Sequence, residues 1–107
     1  MDIKIPKVIQ RVDMGGYSSA LSGRHVCVWV NPTLAILREH DEIVKAGDDT
    51  KAFAWYAKVF SQDEDVSTHW TAAELEAARE TDPSFWGWLV RAFWDARGEH
   101  VSKKKPS

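Results

Sequence analysis

The spacing of apolar residues changes along the chain, and each change marks an element. Residues 7–12 (KVIQRV) have the β-branched content of a strand, with Val8 and Val12 on one side. The paired glycines Gly15 and Gly16 break it, and residues 17–23 (YSSALSG) read as a loop. Residues 25–30 (HVCVWV) alternate more cleanly, with Val26, Val28 and Val30 on one face and His25, Cys27 and Trp29 on the other. Both faces are largely apolar, so this strand is either covered on both sides or shows one side to a partner. The two strands predict an antiparallel hairpin. A lone hairpin is marginal in water, so helices must pack on it.

From Asn31 the period lengthens to that of a helix. Asn31-Pro32 reads as a cap followed by proline at the first helical position, and Gly47 as the stop after residue 45 or 46. Ile36, Leu37, His40, Ile43 and Val44 form the stripe expected to be buried. Arg38 with Glu42 and Asp41 with Lys45 are spaced to pair on the wet side, each worth about 0.3 kcal/mol. Asp48, Asp49 and Thr50 offer caps for a second helix over residues 51–60, crowded with Phe53, Trp55, Tyr56 and Phe60. Residues 61–69 (SQDEDVSTH) form a polar loop. Thr71 and Glu74 then make a capping box for a short alanine-rich helix ending near Glu80. Asp82-Pro83 starts the last helix, which is expected to stop at Gly98. The pattern predicts an α+β chain, mainly α, with an N-terminal antiparallel β-hairpin packed on about four helices. It is read as one globular domain over residues 1–98 with a flexible basic tail over residues 99–107.

Composition narrows the chemistry. The chain has 107 residues, 44% hydrophobic and 28% charged, as ordinary globular domains do. The single cysteine, Cys27, excludes an internal disulfide and points to a buried structural thiol in a reducing, cytoplasmic setting. Residues 1–10 lack the apolar core of a signal peptide, and no apolar run is long enough to cross a bilayer. Net charge is −2, but residues 39–82 hold twelve acidic against four basic side chains. That excess argues against nucleic acid wrapping across the domain, because phosphate contacts need a basic face. His25 and His40 fall on apolar faces and read as satisfied core histidines. No two histidines have metal-pair spacing, and Asp63-Glu64-Asp65 lacks the glycine of a calcium loop. Neither a convergent acid, base and nucleophile nor a cofactor motif is present in the sequence, so neither a catalytic activity nor a cofactor is expected.

Tryptophan is the unusual feature: six in the chain, with Trp86, Trp88 and Trp94 on the last helix. On a helical wheel Phe85, Leu89, Ala92, Phe93 and Ala96 make one core stripe. Trp86, Val90 and Trp94 make a second ridge beside it, while Trp88 falls near Arg91 and Asp95 on the face expected to be wet. Two readings stay open: a central helix buried by its neighbours, or a ridge exposed for protein association, where tryptophan is enriched. The candidate protein-binding residues are Trp86, Val90, Trp94 and Trp88, with Trp55 and Trp29.

The order of motifs resembles a known family. KIPKVIQRVD at the start, VWVNP leading into a helix, STHWTAAEL, then DPSFWGWLVRAFWD and a lysine-rich end are similar to small proteins of siphophage tail-gene regions, the phage tail assembly chaperones. The resemblance implies a non-enzymatic protein of the host cytoplasm that binds the tape-measure protein and helps recruit tail-tube subunits. It also implies a frameshifted longer form, for which consecutive codons for Lys103, Lys104 and Lys105 are a candidate slip site. The competing readings are a structural tail or head–tail component retained in the virion and a small nucleic-acid-binding regulatory domain.

Overall fold

The computed structural model describes residues 5–61 and 69–104. Strands β1 (Ile9–Asp13) and β2 (His25–Trp29) pair antiparallel, with Arg11 opposite Cys27. Helices α1 (Leu34–Ala46) and α2 (Asp49–Val59) follow, then a two-residue strand β3 (Phe60–Ser61) that adds to the other side of β2. Helices α3 (Ala72–Thr81) and α4 (Pro83–Lys104) complete the described chain. The class is α+β, mainly α, with an N-terminal hairpin, as the pattern predicts, and the sheet has one strand more than expected.

The connection from β1 to β2 is ordered by one carboxylate. Asp13 Oδ1 accepts from the amides of Gly15 at 2.7 Å and Gly23 at 3.3 Å, which holds its pKa below the ordinary value. Gly23 has φ +88°, a conformation that glycine adopts without a Cβ clash. Tyr17 then reaches across to α4, where its hydroxyl donates to Asp82 Oδ2. The other oxygen of Asp82 accepts from the amides of Ser84 and Phe85, so this residue caps α4 and anchors the loop together.

Helix starts follow the predicted chemistry with one correction. Thr33, not Asn31, caps α1, taking the Ile36 amide on its hydroxyl at 3.3 Å. Asn31 instead bonds backward: its Oδ1 accepts from the Val8 amide at 2.7 Å and its Nδ2 donates to the Pro6 carbonyl at 3.0 Å. Its side chain thus extends the hairpin toward the N-terminus. Gly47 closes α1 at φ +64°, Asp48 caps α2, and the Thr71–Glu74 capping box opens α3.

Several expectations are corrected. Val44 lies outside the buried stripe of α1, 63% exposed, because α2 covers the face marked by Ile43. Lys45 pairs with Glu42 at 3.6 Å and not with Asp41. Helix α4 runs through Gly98 to Lys104, so residues 99–104 are helical where a tail was expected. Gly98 stays helical because continuing the helix costs a glycine only about 1 kcal/mol relative to alanine. Of the polar loop, residues 62–68 lie outside the described residues; Ser61 is in β3 and pairs also with His69.

The core lies between one face of the sheet and α4. Val26, Val28 and Val30 meet Leu89, Phe93 and Ala96, all 3% exposed or less. Arg97 fastens this layer, donating from Nη1 to the Val30 carbonyl at 3.1 Å. The opposite face of β2 is covered at Cys27 but only half-covered at Trp29.

Asn31→Ala should lower unfolding free energy by about 1–3 kcal/mol, since it strands the Val8 amide in a half-buried position; urea denaturation measures it. The two tyrosines both hold their protons above the ordinary phenol value. Tyr17 does so chiefly through its bond to Asp82 and Tyr56 chiefly through burial. In the folded state both pKa values are raised, so their contribution is complete below about pH 10 and is lost as pH rises through the folded values. Absorbance titration should show phenolate forming at higher pH in the folded than in the urea-unfolded chain. Tyr17→Phe should remove part of the alkaline loss of stability.

Candidate protein-binding surface

The aromatic residues of α2 and α4 pack into one cluster. Trp55 and Trp94 lie nearly parallel, with ring centroids 6.0 Å apart. His40 of α1 sits against both, at 4.6 Å from Trp55 and 4.8 Å from Trp94. Trp86 packs on Phe53 at 4.9 Å and edge-on to Tyr56 at 5.4 Å. Such tilted and edge-to-face pairs add about 0.5–1.5 kcal/mol each beyond the burial of their area.

The indole donors of Trp55 and Trp94 are answered inside the cluster. Trp55 Nε1 donates to the Ile36 carbonyl at 2.8 Å, and Trp94 Nε1 donates to the Tyr56 hydroxyl at 2.9 Å. The Tyr56 hydroxyl lies 3.5 Å from His40 Nε2, at the long limit of a hydrogen bond.

The six predicted binding residues therefore separate. Trp55 is fully buried and presents no surface. Trp86, Val90 and Trp94 form the expected ridge, but it is half-buried against the core. Trp88 is not on a wet face, a correction to the wheel. It stacks on Phe85 at 6.2 Å, meets Tyr17 at 6.1 Å and lies over Gly16. The β1–β2 connection folds down over this side of α4, and no helical wheel contains that information.

Trp29 stands apart from the cluster. It is half-buried on the sheet face away from α4, and its Nε1 is buried with no hydrogen-bond partner among the described residues. An unanswered buried donor costs on the order of 1–3 kcal/mol. The Lys7 ammonium lies 4.4 Å from its ring centroid.

Two grooves meet at this residue pair. One, of about 440 Å³, is lined by Ile5, Lys7, Trp29, Arg97, His100 and Val101 among others. The second, of about 520 Å³, continues past Trp29 to Ile36, Ala57, His69 and Trp70. Ile5 is 71% exposed and Val101 38%, two of the four large aliphatic side chains left exposed among the described residues.

Of this surface the sequence pattern marks Trp29 alone. Ile5 precedes the first predicted strand, and His100 and Val101 fall in the presumed tail. Extending the wheel of α4 past Gly98 would have placed His100 and Val101 one turn beyond Arg97, and that was the available signal. Among the described residues no group of His, Cys, Asp and Glu has metal-binding geometry, and no helix is long and apolar enough to cross a membrane. Comparison with protein-family models, curated proteins and solved structures finds no match for this chain.

The ridge and the groove should respond differently to truncation. Trp94→Ala removes the partner of Trp55 and the donor to Tyr56, and should cost about 3–5 kcal/mol. Ile5→Asp with Val101→Asp alters exposed positions and should change stability by less than about 0.5 kcal/mol per site. Urea unfolding of the variants decides this; comparable losses in both would place Ile5 and Val101 in the packed structure.

Proposed function

We propose that this chain is a non-enzymatic protein-binding domain, a tail assembly chaperone that holds apolar segments of a tape-measure protein and helps recruit tail-tube subunits. The observation that carries the protein-binding part is the surface around Trp29. A half-buried indole with an unanswered donor lies between two grooves and beside exposed Ile5 and Val101. Interface hot spots are enriched in tryptophan and arginine, and a groove offers them the shelter from water that makes a contact count. The tape-measure assignment rests on the order of sequence motifs. The fold is compatible with it, since a holdase needs a stable small core with spare apolar surface.

The aromatic ridge takes a supporting role in this reading. Trp86 and Trp94 brace α4, and α4 in turn presents Arg97, His100 and Val101 to the groove.

Co-expression with a tape-measure protein tests the proposal. The partner should become soluble and co-purify. Ile5→Asp with Val101→Asp should weaken capture about tenfold or more, the scale of an interface hot spot, while the thermal midpoint stays close to that of the parent. A partner that remains insoluble and unbound overturns the chaperone reading.

A further inference from the structure

We infer that the paired grooves at Trp29 recognise an extended acidic peptide, one carrying carboxylates beside apolar side chains; this deepens the protein-binding reading and rests on it. Charge is the first argument. Among the described residues, every ionisable side chain lining the two grooves is a lysine, arginine or histidine: Lys7, Arg97 and His100 in one, Lys7, Lys58 and His69 in the other. Two other grooves mix signs, Glu39 and Glu42 with Lys51 between α1 and α2, and Asp95 and Glu99 with Arg91 between α4 and β1; a smaller basic set, Arg24 and His25, lines a groove beside Trp70 and Phe85.

Pairing is the second argument. Lys58 is already neutralised by Glu39 at 2.6 Å. Lys7 and Arg97 are not: Lys7 lies over the neutral indole, and Arg97 donates to the neutral Val30 carbonyl. Neither has a carboxylate partner among the described residues. Arg97 is held in place by that backbone bond, and a fixed guanidinium is suited to a carboxylate because its planar fork matches the two oxygens.

Shape is the third. The two grooves share Lys7 and Trp29 in their linings, so an occupant that contacts both must cross this pair and be long and narrow. An extended chain alternates its side chains, which lets carboxylates meet Lys7 and Arg97 while apolar groups meet Ile5, Val101 and Trp29. Single-stranded nucleic acid would also find cations and indole rings here. The acidic excess over residues 39–82 disfavours it, because a polyphosphate is repelled by the whole surface whereas a short peptide feels mainly its groove.

Fluorescence anisotropy on the full chain tests this with three labelled twelve-residue peptides of one apolar pattern, carrying Asp, Asn or Lys at the alternate positions. The Asp peptide should bind about tenfold more tightly than the Asn peptide at low salt, and the difference should shrink as salt is raised. Lys7→Glu should erase the preference while near-ultraviolet circular dichroism stays unchanged. Equal binding of the Asp and Asn peptides overturns the charge recognition and leaves a protein-binding groove standing. Absence of binding by any peptide, with the tape-measure partner still captured, overturns the groove as the peptide site. Tighter binding of a single-stranded oligonucleotide, displacing the Asp peptide, overturns it in favour of nucleic acid.

Discussion

An indole ring cannot be buried without also burying a hydrogen-bond donor, and this chain buries indoles heavily. The requirement sets how its helices meet. Trp55 can occupy the centre of the α1–α2 layer because the Ile36 carbonyl, near the start of α1, is turned toward it. Trp94 can lie along Trp55 because the Tyr56 hydroxyl accepts a hydrogen bond from its indole N–H. Each bond crosses between elements, so α1, α2 and α4 are held in one relative position by donors that only this packing satisfies. Apolar area alone would have left several helix orientations close in energy. The donor left unanswered, on Trp29, lies where the packing ends and the exposed aliphatic side chains begin.

Much of the architecture is legible in the sequence because it rests on short-range signals. The alternation of residues 25–30, the Thr71–Glu74 box and the Asp82-Pro83 start each depend on neighbours a few positions away, and the structure shows all three. Long-range partners are what the pattern does not contain. Asn31 reads as a helix cap until the Val8 amide, 23 residues earlier, is seen to use its side-chain oxygen. Phe60 reads as the last helical residue because nothing local shows that Val28 will pair with it. Trp88 reads as exposed because its cover comes from Tyr17.

The candidate surface was less legible for a related reason. A count of tryptophans draws attention to α4, where the rings are dense, yet dense rings cover one another. The indole with the unanswered donor is found where aromatic density is low, beside Lys7 at the end of β2. A helix expected to stop at Gly98 leaves out His100 and Val101, although they lie one turn beyond Arg97, which the core depends on. A glycine within a helix is a weak stop when the following side chains continue the pattern.

The placement of β2 has a consequence for how the chain is made. It is the middle strand, paired on one side with β1, close by in sequence, and on the other with residues that follow two complete helices. Its valine-rich face waits longer still, for α4. During synthesis the hairpin can close early, but one strand edge stays open until residues 60–61 have emerged, and the apolar face until α4 has. Local closure is fast and distant closure is slow. The interval between them is when this small protein is most open to pairing with the wrong strand.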